Sequence, residues 1–129
     1  KLIYYSDSLM LYQYINASYQ GTIIKGRKQG QGIVVDNNNN FICSNYEDDK
    51  LNGPTFVCLH GNILIYGIFK NNKMEGINTI DSDEYKVIGK YTEGKMIGKG
   101  VVISKSNNKI YMIDNDKVKT KSNILQSPK

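Results

Sequence analysis

The sequence predicts an all-β fold, an open single-layer antiparallel sheet of successive β-hairpins. Three observations predict it. Isoleucine is plentiful and tyrosine occurs ten times, while tryptophan is absent and there are two prolines, a balance that favours strands. Glycines recur at one fixed period. Short apolar stretches alternate with polar, turn-forming sequences along most of the chain.

The period comes from the glycines. Gly30, Gly53, Gly76 and Gly98 stand 23, 23 and 22 residues apart, and a constant spacing of this length marks a repeat architecture. Hung on them, YQGTIIKGRKQGQG (19–32), ICSNYEDDKLNGPT (42–55), IYGIFKNNKMEGIN (65–78) and VIGKYTEGKMIGKG (87–100) align without a gap. The units fall near 19–41, 42–64, 65–86 and 87–109. LMLYQYINASYQG (9–21) aligns with TFVCLHGNILIYG (55–67), which places a partial unit over 1–18. Ile110, Met112 and Asp114 continue the opening columns without the glycines, a degenerate unit over 110–116 before a basic tail, 117–129.

Each unit reads as strand, tight turn, strand, looser turn. Tyr19, Ile42, Ile65 and Val87 open the units; Gly21, Ser44, Gly67 and Gly89 follow two residues on; Ile23, Tyr46, Phe69 and Tyr91 stand two further on. Spacing by two sets these three columns on one face of a strand. Gly26, Asp49, Asn72 and Gly94 fill one column with residue types that tolerate positive φ, so it is a hairpin turn. The second strands carry Ile33–Val35, Phe56–Cys58, Ile77–Ile80 and Val101–Ile103, and polar loops close the units. Folding each unit about its tight turn sets the large residue opposite Gly32, Thr55, Asn78 or Gly100, where a ring covers bare backbone.

The pattern Y-x-G-x-(aromatic)-x-x-G-x-x-x-G-x-G, at a period near 23 and over about residues 9–114, resembles the MORN repeat family. Units one and four keep all the glycines. Unit two has Ser44, Asp49 and Thr55 in glycine columns, unit three has Asn72 and Asn78, and the usual tryptophan is replaced by isoleucine, tyrosine or phenylalanine. A related group of bacterial repeat proteins, with motifs like DDKLNGP at 48–54, is a second resemblance. The resemblance implies an elongated, twisted single-layer sheet. It also implies a scaffolding role in cytoskeleton and cilia, contact with membranes, or service as a module beside lipid kinases and lysine methyltransferases. It carries over no catalytic residue.

Charge excludes less than the total implies. The formal charge is +5, but residues 117–129 hold four lysines and no acid, leaving 13 basic and 12 acidic residues elsewhere. A nucleic-acid binder concentrates positive charge on its folded face, so no nucleic-acid partner is expected. The longest apolar stretch, Ile63 to Phe69, falls far short of the roughly 20 residues of a membrane helix. Two cysteines are too few for a disulfide framework. The hairpin register leaves a Cys43–Cys58 bridge geometrically open, while a reducing compartment predicts free thiols. His60 has no second histidine, Asp81-Ser82-Asp83-Glu84 lacks the spacing of a calcium loop, and GKMIGKG (94–100) lacks the Ser/Thr of a phosphate loop. No enzyme activity, metal or cofactor is expected.

Two surfaces are candidate sites. Ile23, Tyr46, Phe69 and Tyr91 form a large, mostly aromatic column on one face of a lone sheet, the expected partner-binding face. Arg27, Lys50, Lys73 and Lys95 form a basic turn column with neighbouring turns on the order of 10 Å apart, suited to anionic lipid head groups. The expected function is a non-catalytic protein–protein scaffold, cytoplasmic or associated with cytoskeleton or cilium. The alternatives are peripheral binding to anionic phospholipid membranes and a regulatory segment of a larger enzyme. The two sheet ends offer unpaired backbone to a further copy of the chain.

Overall fold

A computed structural model describes residues 17–60, 62–115 and 117–118. The expected partial unit before Ala17 and the tail beyond Val118 lie outside the described residues. Ten strands follow in order: β1 Ala17–Ile24, β2 Arg27–Asp36, β3 Phe41–Glu47, β4 Lys50–Leu59, β5 Ile63–Lys70, β6 Lys73–Asp81, β7 Tyr85–Thr92, β8 Lys95–Ser104, β9 Ile110–Asp114 and β10 Lys117–Val118. Each pairs antiparallel with its neighbours in sequence, giving one open sheet in the order β1 to β10. The predicted fold class is the one that forms. Lys117 and Val118 still pair with β9, so the sheet runs two residues past its expected boundary.

The tight turns are two residues long, and both residues are left-handed. The φ pairs are 53° and 78° at Lys25-Gly26, 50° and 71° at Asp48-Asp49, 51° and 72° at Asn71-Asn72, and 49° and 83° at Glu93-Gly94. This is the type I′ turn, whose twist matches that of the flanking strands. Asp, Asn and Gly fill the second position because they bear positive φ at least cost.

The period-setting glycines have a different task. In the first hairpin Gly21 opposes Gly32, yet Thr22 opposes Gln29, so β2 holds two extra residues. The same shift recurs between Ser44 and Tyr46, between Gly67 and Phe69, and between Ile88 and Lys90. Gly30, Gly53, Gly76 and Gly98 sit in these bulges with φ of 75°, 120°, 80° and 63°. At Gly76 a Cβ would meet nothing within 4 Å. Backbone conformation, not space, selects glycine there.

The bulges overturn the expected pairing of large and small columns. Tyr46, Phe69 and Tyr91 oppose Leu51, Met74 and Met96 within their own hairpins. Across the next strand boundary they face the preceding unit's Gly30, Gly53 and Gly76. Small meets small instead: Gly21 opposes Gly32, Ser44 opposes Thr55 and Gly67 opposes Asn78. Counting symmetrically outward from a turn misses two extra residues on one side. The covering ring over Gly32 belongs to Tyr19, whose Cε1 lies 2.5 Å from where a Cβ would stand.

A second correction concerns β9. Tyr111 opposes Val102 and Ile113 opposes Gly100, so Tyr111 and Ile113 take the inner positions expected for Ile110 and Met112. Ile113 is buried. A slip of one residue exchanges the faces of a strand, and the degenerate unit has no glycine to reveal it.

One face of the sheet forms the core. Ile42, Tyr46, Leu51, Val57, Ile65, Phe69, Met74, Ile80, Val87 and Tyr91 all lie at or below 1% exposure. These side chains form one cluster, so residues of that face cover one another. Each large apolar side chain so buried contributes about 1.5–3 kcal/mol.

Candidate interaction surface

The residues expected to bind a partner are the core. Tyr46, Phe69 and Tyr91 are each 1% exposed, while Ile23 is 54% exposed. Ile23 stands on the first described strand, where no earlier described unit covers it. The expectation of a wet aromatic face therefore fails for three of its four members. They pack into the buried cluster, and the aromatic column sits against the glycine of the preceding unit.

Sequence reasoning missed the column that closes this core. Lys28, Leu51, Met74 and Met96 stand directly after the basic turn column. Leu51 and Met74 are fully buried, and Met96 is 5% exposed. Three apolar residues at one offset were the available signal. Lys28 is the exception. Its amine lies 5.6 Å and 5.8 Å from the ring centroids of Tyr19 and Tyr46 and 3.5 Å from Asp49 Oδ1. Those two rings meet edge to face at 5.5 Å. Cation–π attraction and the carboxylate compensate the lysine for its lost water. Burial, then Asp49, raises the Tyr19 hydroxyl above its ordinary value.

Arg27, Lys50, Lys73 and Lys95 open β2, β4, β6 and β8, in line at the tight-turn edge. Their surroundings differ. Arg27 is 3.9 Å from Asp48, both well exposed, and Lys50 opposes Glu47. Lys73 opposes Lys70, and Lys95 opposes Thr92. Among the described residues neither Lys73 nor Lys95 forms an ion pair, although Glu75 and Glu93 line one pocket with Lys73.

The outer face carries what alternation would make polar. Ile33, Cys43, Phe56, Tyr66, Thr79, Ile88, Val101 and Met112 follow one another through the register from β2 to β9. Seven of the eight are apolar or aromatic, in a row about 34 Å long at roughly 4.8 Å per strand. Phe56 stacks on Tyr66 at 6.2 Å and lies 6.1 Å from Phe41. A groove of about 490 Å³ opens beside this aromatic set, between Gln31 and Ile68.

The two cysteines lie on this face but do not oppose each other. Cys43 pairs with Phe56 and Cys58 with Phe41, and both thiols are free. Burial raises the Cys43 thiol above its usual range, which favours its protonated form. His60 occupies a left-handed turn position, its N–H donating to Asn40 Oδ1. Among the described residues no three His, Cys, Asp or Glu side chains group as metal ligands do. No protein-family model and no curated protein matches this chain.

Proposed function

We propose that the chain is a non-catalytic protein–protein interaction module of MORN-repeat type, a scaffold within a larger assembly of the cytoskeletal or ciliary kind. The mostly apolar row on the outer face, interrupted only at Thr79, carries this reading. Among the described residues no second layer covers that row, and apolar strips of such length mark interaction sites. The repeating turn, bulge and core supply a rigid platform with docking positions at regular spacing. Size-exclusion chromatography of extracts containing the tagged, full-length gene product tests the proposal. The protein is expected to elute within a larger assembly, and Phe56→Ser with Tyr66→Ser is expected to release it. Elution of the unaltered protein as a monomer refutes the reading.

The unpaired Lys73 and Lys95 favour a second reading, peripheral binding to anionic phospholipid. It predicts co-sedimentation with phosphatidylserine vesicles that weakens as salt rises. Reversing Arg27, Lys50, Lys73 and Lys95 to glutamate abolishes that binding, and persistence of binding removes this surface from consideration.

A further inference from the structure

Among the described residues seven large apolar side chains are exposed, and four of them gather on the outer face: Phe56 at 38%, Ile68 at 44%, Ile77 at 60% and Ile97 at 39%. Their arrangement has a centre. Lys90 opposes Ile77 on one flanking strand and Ile97 on the other. Ile68 opposes Pro54, and Phe56 opposes Tyr66, at the groove on the N-terminal side. One ammonium group thus stands in the middle of an exposed aliphatic and aromatic field.

Lys90 forms no ion pair among the described residues. Of the acids on the same face, Glu75 accepts the Glu93 N–H at 3.1 Å and Asp81 pairs with Lys105. Any body that covers Ile77 and Ile97 also strips water from Lys90. An ammonium desolvated without a counter-charge opposes binding strongly, whereas one met by a carboxylate fixes register and partner choice. Lys70, which opposes Lys73, adds positive charge on the same face, whereas Lys99 is met by Asp114 across the β8–β9 pair.

Resting on the protein-interaction reading above, we propose that the outer face of β4–β8 docks an acidic amphipathic segment of another protein, its apolar side chains covering the Phe56–Tyr66 groove and the isoleucines while one carboxylate meets Lys90. The groove and Lys90 are two to three strands apart, about 10–14 Å, which sets the spacing between apolar anchor and acid in the partner. A second copy of this chain fits poorly, because it would bring the same lysines to the contact.

Panning the purified full chain against a random linear peptide library tests the proposal. Selected peptides are expected to combine apolar side chains with Asp or Glu. They are expected to bind Lys90→Glu about tenfold or more weakly, a loss of roughly 1.4 kcal/mol, and Phe56→Ser not at all. Panning on Lys90→Glu itself is expected to recover Lys or Arg in place of the acid. Lys90 is exposed, so thermal unfolding of Lys90→Glu at the unaltered temperature separates lost binding from lost folding. Three results overturn the proposal: peptides without an acid, binding indifferent to Lys90→Glu, and no selected peptide at all. Self-association, or binding to phosphatidylserine vesicles, that disappears in Lys90→Glu overturns it in favour of those occupants. If panning fails while Phe56→Ser with Tyr66→Ser still releases the cellular assembly, the acidic partner is wrong and the scaffold reading stands.

Discussion

The backbone N–H of Leu51 donates to Asn72 Oδ1 at 2.9 Å, and the carbonyl of the same Leu51 accepts the Asn72 N–H at 3.1 Å. Two hydrogen bonds thus clip the tight turn of one unit onto the preceding hairpin. Asp49 makes the same clip to Lys28, at 2.7 Å and 3.0 Å. At the next junction Gly94 keeps only the backbone half, its N–H donating to Met74 at 3.0 Å. Asn and Asp in a glycine column are therefore inter-unit fasteners.

Asn72→Ala is expected to destabilise the chain by about 1–3 kcal/mol, because the Leu51 N–H is left buried without its acceptor. Asn72→Asp keeps an acceptor and is expected to cost less. Urea midpoints at constant slope measure both. A midpoint for Asn72→Ala equal to that of the unaltered chain would show that the clip contributes nothing.

The clip at Asp49 predicts a pH dependence. The Lys28 N–H bonded to its carboxylate, with the Lys28 charge assisting, holds Asp49 below its ordinary value of 3.8, against a smaller opposing effect of burial. The unfolded chain therefore takes up this proton first as the solution is acidified. Stability from the charged clip is complete above about pH 5 and declines as pH falls through 3.8 and below. Asp49→Asn retains an acceptor, as Asn72 does, and is expected to flatten this part of the stability profile. An unchanged acid slope in Asp49→Asn would exclude the carboxylate as its source.

Gly76→Ala forces an L side chain into φ of 80° and is expected to cost about 1–2 kcal/mol, although its Cβ meets empty space. Gly76→Asn, a residue that visits this region more readily, is expected to recover part of the loss. Equal losses in the two variants would point to crowding instead of conformation.

Phe69→Ala is expected to cost about 3–5 kcal/mol as a core truncation, whereas Ile77→Ala, on the exposed outer face, is expected to stay within about 0.5 kcal/mol. Thermal unfolding ranks them. The reverse order would place the aromatic column in solvent and the outer row inside.

Much of the fold was legible because its signals are local. The glycine period, the alternation within each strand and the turn column each record the conformation of a few consecutive residues, and antiparallel hairpins follow directly. Burial is not local. Alternation shows that Tyr46, Phe69 and Tyr91 share a face, but nothing in it says whether that face meets water. Packing among the side chains of stacked hairpins decides that, and it needs the strands held in register. The two extra residues at each bulge also escaped detection, since glycine marks a positive φ without saying which strand is lengthened.

By itself the chain's order of residues determined a single-layer sheet of about 23-residue hairpins, because periodicity and left-handed positions are written residue by residue. Only the tertiary structure decided which face is dry, where Lys28 and Asp49 meet, and which residues remain for a partner. These depend on groups about 21 residues apart being brought within hydrogen-bond reach, and that proximity arises only when neighbouring hairpins pair.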